Sequence, residues 1–184
     1  MDREKAFKLL KEYLSNKNLI KHSLAVEAIM KSLARRFGED EEKWALAGLL
    51  HDIDYEQVKG DACRHSLLGA EILKQKGFSP DICQTVKVHN EIHGLTPQTL
   101  MEKALFVSDP VSGLIIASVL VLPSKKLQDL TWQSVIKRFK EKSFARGANR
   151  EIIKKCRDLL QLEVEDLIKI SLEAMQSISQ ELEL

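Results

Sequence analysis

The sequence predicts an all-α fold, on three observations. Apolar residues recur at steps of three and four along nearly the whole chain, alternating strand patterns are almost absent, and capping residues, prolines and glycines fall where helices of ordinary length would start and stop. The reading is a compact, single-domain helical array of about eight or nine helices spanning residues 1–184.

In chain order, a first helix runs from around Arg3 to Leu14. Asn16 or Asn18 caps a second, which carries Ile29, Leu33 and Phe37 and is ended by Gly38. A third covers Glu41 to Leu50; from Ala45 onward it is apolar on nearly all sides, hence buried, and it stops at His51-Asp52-Ile53-Asp54-Tyr55. The next spans Ala62 to Lys76 and is closed by Gly77, after which Ser79-Pro80-Asp81 supplies a cap, a first-turn proline and an early acid for a helix toward His89. Beyond a loop with Gly94 and Pro97, a helix from Gln98 to Ser108 meets Asp109-Pro110, and the proline opens another through Val121. Pro123 breaks the chain, Thr131 caps a helix to about Glu141, and one or two amphipathic helices follow, with Leu167, Ile170, Met175 and Ile178 on apolar stripes.

Composition excludes several classes. With 28 Lys and Arg against 27 Asp and Glu, the formal net charge is +1, which is no footprint for a dedicated nucleic-acid surface. No unbroken apolar run approaches the roughly 18–20 residues of a membrane span, and Met1-Asp2-Arg3-Glu4-Lys5 is charged where a secretory signal is apolar, so the expectation is a cytoplasmic protein without a membrane partner. Cys63, Cys83 and Cys156 form no CxxC pair and read as reduced, buried thiols. Charge is uneven toward the end: residues 124–150 hold eight Lys or Arg against two acids, and residues 160–184 hold six acids against one Lys. The acidic end is a candidate partner for the basic stretch, of its own or another chain.

The remaining oddity is histidine. His51-Asp52 alone is weak, because five histidines and ten aspartates give about 0.3 such pairs by chance. Its surroundings decide. His22 begins the stripe Val26, Ile29, Leu33 and Phe37, and Asp52 emerges from a buried helix, where an unpaired carboxylate is costly unless a cation compensates it. Asp109 poses the same problem among Leu105, Phe106, Val107 and Leu114. His65 lies four residues before Gly69, where a small residue permits close helix contact, and His89 continues the stripe of Ile82 and Val86. His93 falls in a loop and reads as solvent-facing. Each residue singly is more often a satisfied core polar group; four imidazoles and two carboxylates together, without thiolate, suit one or two divalent transition-metal ions such as Mn, Fe, Co, Ni or Zn.

At these residues the chain resembles the HD superfamily of metal-dependent phosphohydrolases, a helical family whose ordered signature is His, then His-Asp, then a distant Asp. The resemblance covers residues 21–116. It implies that His22, His51, Asp52 and Asp109 bind a first ion. It also implies that His65, in His65-Ser66-Leu67-Leu68-Gly69-Ala70, and His89, in His89-Asn90-Glu91, bind a second, with Asp52 bridging. The metal-binding core then spans about residues 18–120, with a C-terminal helical extension over about 124–184. The cyclic-dinucleotide branch carries a Gly-Tyr-Pro element after tandem His-His-Glu, and the branch cleaving guanosine tetraphosphate carries Glu-Asp after the pair. This chain has Ile92-His93-Gly94-Leu95-Thr96-Pro97 and Tyr55-Glu56, so neither specialised activity transfers. The pattern is most similar to small stand-alone members, such as bacterial dinucleoside-polyphosphate hydrolases.

The implied chemistry is hydrolysis of a phosphate ester or anhydride of a nucleotide or other small phosphorylated molecule, with a divalent ion activating water and polarising a phosphoryl oxygen. Asp52 is the residue on which catalysis is expected to rest. Asp54 and Glu56 follow closely enough to act as an outer hydrogen-bond acceptor or a base, although acids in such a loop more commonly face solvent. Lys142, Arg146 and Arg150 flank a Gly and small residues and are candidate phosphate clamps. The alternative from a different class is a catalytically silent metal- or nucleotide-binding signalling module.

Overall fold

A computed structural model describes residues 2–184. Among these, the chain forms twelve α-helical segments: α1 (Arg3–Tyr13), α2 (Lys17–Phe37), α3 (Glu41–Leu50), α4 (Tyr55–Val58), α5 (Leu67–Gln75), α6 (Pro80–Val88), α7 (Leu100–Leu120), α8 (Trp132–Lys140), α9 (Arg150–Lys154), α10 (Cys156–Leu160), α11 (Val164–Ser177) and α12 (Ser179–Leu182). No described residue is in a strand, so the all-α expectation holds.

The starts and stops follow local chemistry. The carboxylates of Asp2 and Asp40 and the amide oxygen of Asn16 accept first-turn N–H groups of α1, α3 and α2, and Thr131 does the same for α8. Gly38 ends α2 in the left-handed region at φ 71°. Ser79 occupies the cap position of α6 but its side chain makes no capping bond, leaving the Pro80 ring to set the first turn.

Four expectations need correction. The predicted break at Asp109-Pro110 does not occur: α7 runs through Pro110 for 21 residues. Proline removes the N–H at 110, but Ala104, Leu105, Val107, Val111, Leu114 and Ile115 are fully or almost fully buried around it, and this packing outweighs the local break. The same helix is long and apolar enough to cross a membrane, with a mean hydropathy of 1.5, yet 67% of that window is buried against the rest of the chain as a core helix. The helix predicted from Ala62 begins only at Leu67, because Ser66 takes φ 70° and the preceding residues form turns. The C-terminal part is divided into four short or medium helices, with a left-handed turn at Gln161 separating α10 from α11. Of the three thiols only Cys156 is buried; Cys63 is exposed.

α2 and α7 form the centre, with α3, α11 and α12 against α2, and α6, α8, α9 and α10 against α7. Within the chain, acids of the C-terminal end pair with the first helices rather than with the basic stretch: Glu183 with Lys21 at 2.6 Å and Glu181 with Arg3 at 3.5 Å. The α2 and α3 backbones meet at Gly48, where a Cβ would stand 2.8 Å from the Val26 carbonyl oxygen and 3.0 Å from the Glu27 backbone. That approach sets the C-terminal end of α3 beside the middle of α2.

Gly48→Ala is therefore expected to destabilise the fold by about 1–3 kcal/mol through backbone displacement, measured by urea unfolding. Gly113→Ala, in α7 with nothing within 4 Å of its Cβ, is expected to leave stability unchanged or raise it by up to about 1 kcal/mol.

Candidate metal centre

Helix ends deliver most of the site. His51 is the C-cap of α3 and His89 the C-cap of α6, and each turns its Nδ1 back onto the carbonyl three residues earlier, Gly48 at 2.8 Å and Val86 at 2.6 Å. The two rings thereby satisfy carbonyls that the helix termini leave open. His22 comes from the second turn of α2, Asp109 from the middle of α7, and Asp52 from the turn after α3. His65 sits in the turns before α5.

All six residues converge. His22 Nε2 lies 3.1 Å from Asp109 Oδ1, 3.6 Å from Asp52 Oδ2 and 3.2 Å from His51 Nε2. Asp52 Oδ1 is 3.3 Å from His51 Nε2, 3.3 Å from His65 Nε2 and 3.6 Å from His89 Nε2. Two overlapping triads, His22/His51/Asp109 and His51/Asp52/His89, each have ligand atoms within 4.8 Å of one another, and His65 joins them through Asp52.

The outer hydrogen bonds decide which nitrogen faces inward. Carbonyls and carboxylates only accept, so Nδ1 donates in His51, His89 and His65, the last to Asp54 Oδ1 at 2.9 Å. In His22, Nδ1 meets Ser112 Oγ at 3.1 Å; that hydroxyl gives its own hydrogen to the Asp109 carbonyl and so accepts from the ring. Every neutral imidazole therefore turns a bare Nε2 lone pair toward the others and toward two carboxylates. Such a centre could hold cations, and imidazoles fixed by an outer partner are the arrangement metal ligands adopt.

Charge follows the same geometry. Burial drives the His51 ring down to about 4, against the pull of Asp52. Burial also opposes the His65 proton, but hydrogen bonds to Asp52 and Asp54 outweigh it and push that ring up to about 10. Burial would raise Asp52, yet the His51 charge and the hydrogen bonds of His65 and His89 hold it well below the usual carboxylate range. Asp109 is likewise held down, burial being outweighed by His22. The carboxylates stay ionised in a buried setting, and the donor set fits divalent ions with imidazole and carboxylate preference.

Asp54 is not solvent-facing. It is fully buried, and beyond His65 its Oδ2 accepts the N–H groups of Ser66 and Gly69, both at 2.8 Å. One carboxylate thus orients a ligand ring and caps α5, holding Ser66 at its positive φ. Gly69 makes room, since a Cβ there would stand 3.3 Å from the Asp54 carboxyl carbon. Glu56 serves elsewhere, accepting from Ser15 and Asn16. His93 is half-buried rather than solvent-facing: its Nε2 bonds the His65 carbonyl at 2.8 Å, and Asn90 braces the same turn. Ser112 and Asn90 carry no sequence signal, because hydroxyl and amide side chains in such positions are ordinary.

The cluster opens into a cavity of about 430 Å³ whose far wall comes from the C-terminal part, at Ala145, Gly147, Ala148, Asn149 and Ile152. Arg150 is no phosphate clamp. Its guanidinium donates to the carbonyls of Phe139, Glu141, Phe144, Ala145 and Ala148, which occupy all five of its N–H groups in shaping the 141–148 loop. Lys142 and Arg146 lie away from the six clustered residues, in an adjoining hollow.

Comparison with known proteins agrees with this arrangement. The family described as HD domain matches residues 19–114, a segment that holds all six clustered side chains. Ribonuclease Y of Nitratidesulfovibrio vulgaris is 36% identical over 102 residues, covering 53% of this chain and 18% of its own length, and ribonuclease Y of Thermosipho melanesiensis is 37% identical over 92 residues, covering 47% and 17%. The chain thus spans less than a fifth of these relatives. An uncharacterized protein of Methanocaldococcus jannaschii is 31% identical over 180 residues, covering 92% of this chain and 100% of its own. With over half of the sequence matched and a relative aligned along its whole length, this chain belongs to the HD domain family.

Proposed function

We propose that the protein is a metal-dependent phosphohydrolase acting on a phosphate ester or anhydride of a small phosphorylated molecule such as a nucleotide. The observation that carries this reading is the convergence of four inward Nε2 atoms on two carboxylates at the floor of a 430 Å³ cavity. His22, His51, Asp52 and Asp109 would hold one divalent ion, and His65 and His89, sharing Asp52, a second. Ions held there supply a nucleophile from water near neutral pH and neutralise charge on a phosphoryl oxygen.

The chain's own residues set the rest. Asp52 faces five neighbours within the cluster and is the group both halves depend on. Ser112 and Asp54 keep the His22 and His65 rings in the orientation that leaves Nε2 free. Phe106, Pro110 and Ile152 give the cavity an apolar wall for the organic part of a substrate. The ribonuclease Y relatives share the site-bearing half, so a phosphodiester in short RNA belongs in the assay panel with nucleotides and phosphomonoesters.

Purified protein loaded with Mn, Co, Ni or Zn is expected to hydrolyse at least one member of that panel; bound metal without turnover of any would favour a silent binding module. Asp52→Ala is expected to lose metal and activity together, by more than the roughly 100-fold that removing an outer partner costs, and full metal content in that variant would refute the assignment. His65→Ala and His89→Ala are expected to lower metal content from two equivalents to one by elemental analysis. Asp54→Asn is expected to weaken only the ion at His65, by roughly 10–100-fold. The new amide presents N–H to Nδ1 and moves the ring proton to Nε2, a tautomer change visible in the nitrogen NMR shifts of His65.

A further inference from the structure

We propose that the substrate carries a second anionic group besides the scissile phosphate, and that Lys142 and Arg146 receive it. This rests on the phosphohydrolase reading for the placement of the first group. The cavity over the metal centre has histidines among its lining but no Lys or Arg. A further phosphate or carboxylate on a substrate would find no fixed cation inside it.

Cations stand just beyond. A second hollow, lined by Lys142, Arg146, Glu151 and Arg150, whose N–H groups are all taken by loop carbonyls, shares Glu91, Gly147, Ala148 and Asn149 with the first, so the two lie on either side of one short ridge. Its two carboxylates already have partners: Glu91 accepts the Asn149 amide at 2.7 Å, and Glu151 pairs with Lys154 at 2.8 Å. Among the described residues, neither Lys142 nor Arg146 has a carboxylate within 4.0 Å.

The ridge is held in shape by more than surface contacts. Arg150 spends its whole guanidinium on the carbonyls of the 141–148 loop, Ala145 is kept at φ 43°, and Asn149 both caps α9 and latches onto Glu91 beside the ligand His89. Ordering this loop in advance lowers the entropic cost of placing two cations around an anion. The substrate class is a bisphosphate, or a phosphate with a carboxylate, whose two anions straddle Gly147–Asn149.

Calorimetric titration of the Mn-loaded protein tests this with butyl phosphate against the flexible 1,4-butanediol and 1,6-hexanediol bisphosphates. The better bisphosphate is expected to bind at least roughly tenfold tighter than butyl phosphate, the scale of one charge-assisted phosphate contact. Lys142→Ala/Arg146→Ala is expected to abolish the gain and leave butyl phosphate affinity unchanged. Lys125→Ala/Lys126→Ala, which removes equal charge outside the hollow, is expected to keep it. Equal affinities in the wild type, or a gain that survives Lys142→Ala/Arg146→Ala, would overturn the subsite while leaving the hydrolytic reading intact. A gain without hydrolysis of any compound in the wider panel would sustain the subsite and sink the hydrolytic reading; no binding by any of the three phosphates would overturn both.

Discussion

The structure depends on one constraint: the carboxylate of Asp52, which the chain buries, and that of Asp109 beside it must remain ionised within one cluster. Water cannot solvate Asp52 adequately there, so the surrounding groups have to do so. Four imidazoles supply that compensation, and their placement dictates much of the architecture. α3 and α6 must end where their last carbonyls can fix His51 and His89. α2 must come close enough to α3 for His22 to reach both, which is why Gly48 lies against the Val26 and Glu27 backbone. The imidazoles, however, satisfy the carboxylates only as long as protons or metal ions lie between them, so any ion bound at this point would couple to folding.

Asp54 shows how the second half of the cluster is secured. A buried carboxylate is as costly here as at Asp52, but three hydrogen bonds satisfy it without any ion. It therefore acts as an anchor: it fixes the His65 ring, holds Ser66 in a conformation an L-residue seldom takes, and starts α5. His93 and Asn90 hold the same turn from the other side. Local strain at Ser66 persists because the surroundings over-determine it, and the result of that strain is one ligand at a fixed angle.

The legible part of the sequence was whatever had a period or a neighbour. The stripe from His22 to Phe37 located that ring, the apolar run before His51 announced a buried carboxylate, and caps at Asn16 and Thr131 marked helix starts that the structure keeps. Tertiary partners were not legible. Pro110 reads as a break because local sequence contains the ring but not the core around α7. Asp54 reads as a loop acid because its three donors come from residues eleven to fifteen positions later. Arg150 reads as a phosphate clamp because a guanidinium near Gly and Ala is equally suited to carbonyls, and only the folded loop shows which acceptors it finds.

Chemistry and selectivity come from different stretches of the chain. The six clustered residues lie between 22 and 109, inside the family match that ends at 114, whereas the opposite wall of the cavity is built from residues 145–152. On the proposed reading, hydrolysis of a phosphate would ask only for the cluster, which could serve many leaving groups. What such a substrate carried beyond its scissile phosphate would meet the loop that Arg150 shapes and Asn149 ties to Glu91. None of the outer hydrogen bonds of the four rings comes from that loop, so on the proposed reading a change in it would alter which molecule fits while the centre stays as it is.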